Sequence, residues 1–222
     1  MCGKFTAKAS WREIVDLIYA TPPRELGDND RSLTFRVMGA VPLIVFDHVA
    51  GKRRVVPMRW GFPHPQDWKR PQPIHARAET IDTTRAFADA FRDGQRGIVI
   101  VETFNEAPES GAQHVVTPPG AIGIAFVWRR FEIAGQPEPL FACVMVTVAA
   151  NPLLQGLPTD RMPGVMSPDD WAVWLGDEPA SLEAVKDCLK TVEDVHWTMT
   201  PEERAKSARR AKPTVSDPAG LF

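Results

Sequence analysis

Two apolar runs, Ala121 to Ile133 and Leu140 to Val148, are separated by Gly-Gln-Pro-Glu-Pro at 135–139. This pairing constrains the fold more than any other feature. Runs rich in Val, Ile and Phe on either side of a Gly/Pro turn read as two strands. Gly97 to Phe104, with Ile98, Val99, Ile100 and Val101 in succession, reads as a third, buried strand. Leu33 to Phe46 is strand-like, Asp47 to Lys52 makes a turn around Gly51, and Arg53 to Trp60 continues as a strand, giving a hairpin signal. Helical signals are shorter. Ser10 is a candidate N-cap ahead of Trp11, Ile14, Leu17 and Ile18, a helix that Pro22 and Pro23 end. Phe87 and Phe91 share one face of an expected helix over Thr84 to Phe91, Pro168 to Trp171 opens a short helix, and 181–190 reads as another. Four prolines make 61–73 a loop. The expected fold class is α+β, one domain over 1–200 of mainly antiparallel strands with flanking helices. A polar, flexible tail follows over 201–222.

The 222 residues include 44% apolar and 24% charged side chains, an ordinary globular balance. A formal charge of -2 excludes a chain coated in positive charge but leaves room for a local basic groove. Cys2, Cys143 and Cys188 are odd in number and fit neither a zinc spacing nor a disulfide framework, so Cys143 and Cys188 read as packing residues. His48, His64, His114 and His196 show no metal spacing and read as solvated or locally hydrogen-bonded. No run reaches transmembrane length and no secretory signal is present, so a cytoplasmic protein without a membrane partner is expected.

Chemistry enters at the N-terminus, Met1-Cys2-Gly3. Removing Met1 leaves a cysteine with a free α-amine two carbons from its thiol. An aldehyde condenses with such an aminothiol twice, first as an imine at nitrogen and then by ring closure at sulfur to a thiazolidine. The unperturbed pKa values, about 8 and about 8.5, leave both groups reactive near neutrality. The second bond forms intramolecularly, a large advantage. The alternative reading is that Cys2 is only a small residue near a terminus.

Several segments, in order, decide between these. Met1-Cys2-Gly3-Lys4-Phe5, Met58-Arg59-Trp60-Gly61-Phe62 with Trp68, His75-Ala76-Arg77-Ala78-Glu79-Thr80, the strand from Arg96 to Glu106, and Asp160-Arg161-Met162-Pro163 with Asp169-Asp170-Trp171 and Trp174-Leu175 together span residues 2 to 176. This ordered set resembles the SOS-response-associated peptidase (SRAP) family, whose members protect abasic sites in single-stranded DNA by covalent capture. The resemblance implies a barrel-like or two-sheet core. It departs from the family pattern at four places, one of them Arg36-Val37-Met38-Gly39 in place of an Asn-x-Ala-Pro-like segment. His75 stands where the family has asparagine, Thr159 where it has histidine, and Phe104-Asn105-Glu106-Ala107 keeps the glutamate but loses its aromatic neighbours. The chain reads as a divergent member with an altered site.

Carried over residue by residue, the resemblance makes Cys2 the nucleophile and Glu106 the proton shuttle. His75 is a hydrogen-bond donor that compensates for Thr159, which cannot act as a base near neutrality. Arg77 and Arg161 match phosphate-holding positions, with Lys4 a lesser contact, and Glu79 orients Arg77. Either arginine has a salt bridge to Glu79 or Asp160 as its alternative. Trp60 and Trp68 are candidates for stacking on bases, Trp68 being the one expected at the surface. The expected partner is single-stranded DNA bearing an abasic site, the expected state a monomer, with no cofactor and no metal. Strand cleavage by β-elimination from the imine is a further possible activity. Two other readings stay open: an N-terminal-cysteine (auto)peptidase, and a catalytically silent DNA-binding module.

Overall fold

The computed structural model describes residues 2–7, 33–107 and 112–202. The helix expected after Ser10 lies outside them, as does the expected tail beyond Glu202. Along the chain, β1 (Lys4–Ala7) and β2 (Leu33–Arg36) pair antiparallel, and β3 (Ala40–Asp47) and β4 (Lys52–Trp60) form the expected hairpin. The proline-rich 61–73 segment is not simply a loop. It folds into a small hairpin of β5 (Pro63–His64) and β6 (Asp67–Pro71), because the prolines stand where no ladder N–H is required. Next come β7 (His75–Arg77), α1 (Ala88–Arg92), β8 (Arg96–Val101), β9 (Thr103–Glu106), β10 (His114–Thr117), β11 (Ile122–Phe131) and β12 (Leu140–Ala149). The C-terminal part adds α2 (Pro152–Gln155), β13 (Arg161–Pro163), β14 (Val165–Met166), α3 (Trp171–Leu175), α4 (Leu182–Asp187) and β15 (Thr198–Pro201).

Five strands close on themselves. β12 pairs with β4 in parallel, β4 with β3, β3 with β8, β8 with β11, and β11 with β12, so this barrel has no free edge around its girth. A second sheet, in the order β15-β10-β9-β1-β2, packs against it. The run expected as one strand from Gly97 to Phe104 serves both. It leaves the barrel at Glu102, whose N–H donates to the Thr6 carbonyl at 3.1 Å, and continues as β9 in the second sheet.

The two layers meet through aromatic side chains. Phe5 of β1 is wholly buried and packs at 5.1 Å on Trp60 of β4, 5.5 Å from Phe35 and 6.3 Å edge-on to Phe126 of β11. Burying one such ring is worth about 2–3 kcal/mol. Phe87 and Phe91 are both buried as expected, although the regular helix begins only at Ala88. Trp174 of α3 covers Phe91 and donates from its indole to the Gly97 carbonyl at 3.0 Å.

Gly97 is where β3 and β8 come together to close the barrel. A Cβ there would lie 2.6 Å from Leu43 Cγ and 2.9 Å from the Ile44 carbonyl oxygen. Gly97→Ala is therefore expected to destabilise by about 1–3 kcal/mol in urea unfolding. Gly120→Ala, at a position with nothing within 4 Å of the new carbon, stays within about 0.5 kcal/mol. Equal midpoints for the two variants would contradict this closure.

Candidate active site

Residues far apart in sequence meet where β1 begins. The register Lys4↔Asn105 runs β1 antiparallel to β9 and carries Cys2 alongside the end of β9, where Glu106 stands. His75 arrives on β7, which lies parallel to β12 with His75 opposite Met145. Its Nε2 donates to the Cys2 carbonyl oxygen at 2.7 Å, which places the imidazole proton on Nε2. The ring is held from behind by Trp60, edge-on at 6.4 Å, whose indole N–H donates to the carbonyl of the preceding Ile74 at 3.1 Å. The same indole packs on Phe5, so one side chain braces both the histidine and the strand that carries Cys2.

The electrostatics follow from burial. Cys2 is 3% exposed, and its thiol donates to the Lys4 carbonyl at 3.3 Å. Burial, reinforced by the charge of Glu106, pushes that thiol up to about 12. Glu106 is wholly buried and its carboxyl is raised above the ordinary carboxylate range by the same loss of water. Burial lowers the pKa of His75, which favours its neutral form. All three groups are thereby pushed toward their uncharged states.

The other expected site residues divide. Arg77 is exposed, two residues past His75 on the same face of β7, about 6.6 Å along the strand. Its guanidinium has no hydrogen bond or ion pair among the described residues. Arg161 makes the salt bridge to Glu79 that was the alternative to a phosphate contact. It is 8% exposed and grips Glu79 through both η nitrogens, at 2.6 and 2.9 Å. Glu79 therefore pairs with Arg161, where it was expected to orient Arg77. Lys4 is paired with Glu202. Trp60, a candidate for stacking on a base, is wholly buried. Trp68 is half-buried on β6, with Lys69 Nζ 5.9 Å from its ring, beside a cavity of about 500 Å³ that Phe131 and Ile133 also line. The Thr159 hydroxyl is spent locally, donating to the Arg161 carbonyl at 3.0 Å. Among the described residues no group of three or more His, Cys, Asp or Glu is placed to hold a metal ion.

Sequence reading missed Trp60 as a brace. Its signal was present in the Met58-x-Trp60 alternation of β4, which points both side chains inward. Asn105, also missed, is 3% exposed with no partner for its Nδ2 among the described residues.

The chain matches the family model described as SOS response associated peptidase over residues 1–205. No curated protein matches it. Among solved structures it is similar to a protein from Bordetella bronchiseptica, at 20% identity and TM-score 0.74 over 91% of this chain and 100% of that one. A Bacteroides thetaiotaomicron protein aligns at 14% identity and TM-score 0.73, over 90% and 91% of the two chains. A phage-related protein of Bordetella bronchiseptica aligns at 16% and 0.65, over 91% and 95%. At such identities the shared property is the fold.

The Arg161–Glu79 pair makes a testable contribution to stability. Hydrogen bonding to Arg161 holds the Glu79 carboxyl below its ordinary value, so its stabilisation is present above the unfolded-state pKa and lost as pH falls through the folded one. Glu79 is 53% exposed, which limits Glu79→Gln to a loss of about 1–2 kcal/mol at pH 7. The gap from wild type should close on acidification below the carboxylate range, as followed by urea melts across pH. A gap independent of pH would mean that the ion pair contributes nothing.

Proposed function

The chain belongs to the SOS-response-associated peptidase family, with the DNA-damage-associated role of that family, and from that premise we propose that it captures abasic sites in single-stranded DNA as a thiazolidine at Cys2 once Met1 is removed. The observation that carries the reading is the convergence of Cys2, His75 and Glu106 from three separate stretches of chain, with His75 fixing the Cys2 carbonyl at 2.7 Å. No helix of the described residues is long and apolar enough to cross a membrane.

The chemistry proceeds from the freed α-amine. Its nitrogen adds to the aldehyde carbon of the ring-opened sugar, giving a carbinolamine. Glu106, whose buried carboxyl is raised in pKa, donates a proton to the departing hydroxyl, and water leaves an iminium. The Cys2 sulfur then bonds to that carbon as its S–H proton passes to the Glu106 carboxylate. The sum is one aldehyde and one aminothiol giving one thiazolidine and one water. His75 acts on the protein side of this reaction. Its N–H holds the Cys2 main chain, so the replaced family amide becomes a positioning group here. Arg77 lies on the same face, free to fork onto a phosphate, and Trp68 offers the aromatic surface for a base. Thr159, with its hydroxyl tied to its own turn, supplies no base for reversing the bond.

Intact-protein mass spectrometry with single-stranded DNA carrying one abasic site tests the reading. The expected product has lost methionine and gained the DNA mass, and Cys2→Ser gives none. Glu106→Gln slows adduct formation by at least about a hundredfold. His75→Ala costs about a hundredfold through misplacement of Cys2. Methionine-free protein that binds the DNA without forming an adduct would make the chain a binding module, and cleavage of peptides without DNA would favour the peptidase reading.

A further inference from the structure

A row of donor side chains crosses the second sheet next to the nucleophile. Lys4 of β1 stands opposite Arg36 of β2 on one side and Asn105 of β9 on the other. Opposed residues point to the same face, their Cβ atoms about 4.5–5.5 Å apart. The next pair, Phe5 and Phe104, is wholly buried on the other face, so the donor row is turned away from the barrel. Two cations directly opposed repel one another unless an anion offsets them. Part of that offset is present: Glu202, just past β15, pairs with Lys4 across β10 and β9. One carboxylate cannot neutralise both cations. The Arg36 side chain is exposed and has no hydrogen bond or ion pair among the described residues. Asn105 is 3% exposed, and its Nδ2 is enclosed without a partner among the described residues. A buried amide donor in that state is uncommon and calls for an acceptor. The row is also close to Cys2. Lys4 follows Cys2 by two residues, about 6.6 Å along an extended chain. The turn after β2 is fastened there as well, with the Val37 N–H donating to the Gly3 carbonyl at 3.4 Å and the Gly39 N–H to the Arg36 carbonyl at 3.0 Å.

We propose that Arg36, Lys4 and Asn105 form a phosphate subsite beside Cys2, in which the Glu202 carboxylate is the resident anion until DNA replaces it. The proposal rests on the reading of Cys2 as the residue that captures the abasic sugar. The phosphodiester adjoining that sugar takes the place of the carboxylate. It accepts from the Lys4 ammonium, from the fork of Arg36 and from Asn105 Nδ2, the donor that has no acceptor in the DNA-free protein. No covalent bond changes. One singly charged anion is exchanged for another, and the freed Glu202 carboxylate goes to water. The exchange makes binding selective, because nucleic acid that engages no other part of the site must still displace an anion tethered to the chain. Arg36 belongs to the segment that departs from the family pattern, so its guanidinium is a feature of this chain. It supplies the charge that Lys4, held by Glu202, does not offer alone.

Fluorescence anisotropy with full-length Cys2→Ser and a single-stranded oligonucleotide carrying one abasic site tests the subsite without the covalent step. Adding Glu202→Gln is expected to tighten binding about threefold, since the competing anion is gone. Adding Arg36→Ala weakens it about fivefold at about 0.1 M salt. It also makes the log–log salt slope shallower by about 0.7, the share of one phosphate contact on a single strand. Arg36→Lys keeps the slope, and Asn105→Asp, which sets a second carboxylate beside Lys4, weakens binding by at least about fivefold. Binding that is unchanged or weaker in Glu202→Gln would make the ion pair a clasp for β15 and overturn the exchange. Arg36 is exposed, so its variants test binding and not folding, and a slope unaltered by Arg36→Ala overturns the subsite. Adduct formation is read separately with Cys2 intact. A wild-type protein that forms no adduct removes the capture reading, and the salt slopes still decide the subsite. Capture at the same rate in Arg36→Ala and wild type, at limiting DNA, would leave the capture reading standing and remove the subsite.

Discussion

Strand β12 has partners along both edges, and the placement of the site depends on it. One edge takes β11 and then β13; the other takes β4 and then β7, both parallel. Residues 142 and 143 close the barrel against β4, while residues 145 to 147 receive His75, Ala76 and Arg77. Because side chains alternate with a period of two, this register puts His75 and Arg77 together on one face and sends Ala76 to the other. A slip of one residue would reverse all three. The apolar run that gives β12 its buried character is therefore also what fixes the distance between the candidate imidazole and the candidate phosphate ligand.

The second dependence is electrostatic. Cys2, His75 and Glu106 are each deprived of water, and each shift favours the neutral form. Such a cluster costs less to bury than the same groups charged. Arg161 and Glu79 form their fork on β13 and the turn after β7, where the carboxylate reaches solvent and both η nitrogens of the buried guanidinium are engaged.

What the sequence showed depended on the length of each element. The runs at 121–133 and 140–148 were legible because a long, mostly apolar stretch reads as a buried strand or helix, and the Gly/Pro turn between them chose strand. Strands β7, β13, β14 and β15 have two to four residues each. No periodicity exists in so few positions, and their pairing is decided by the strands already in place. The break at Glu102 was hidden for a related reason, since an apolar run carries no mark of the sheet to which each half belongs. Among candidate site residues, Cys2 and Glu106 were singled out through aligned motifs. Arg161 and Trp60 belong to equally visible motifs, yet their roles depended on burial, which a motif does not encode.

The replacements in this chain form a consistent chemical pattern on the proposed reading. Thiazolidine formation consumes no net proton. It needs a group that lends one at dehydration and recovers it at ring closure, which a buried carboxyl beside the nucleophile can do. Reopening the ring at carbon needs a base able to act on water or on the ring nitrogen at neutral pH, and threonine has no such capacity. Replacing histidine by Thr159 therefore removes a group needed for release while leaving the forward sequence intact. Placing His75 on the Cys2 carbonyl acts in the same direction, because the imidazole is committed to holding the nucleophile and its Nε2 is not free for proton transfer. On the proposed reading, a site altered in both places holds its adduct, and its divergence from the family pattern shifts the balance from release toward capture.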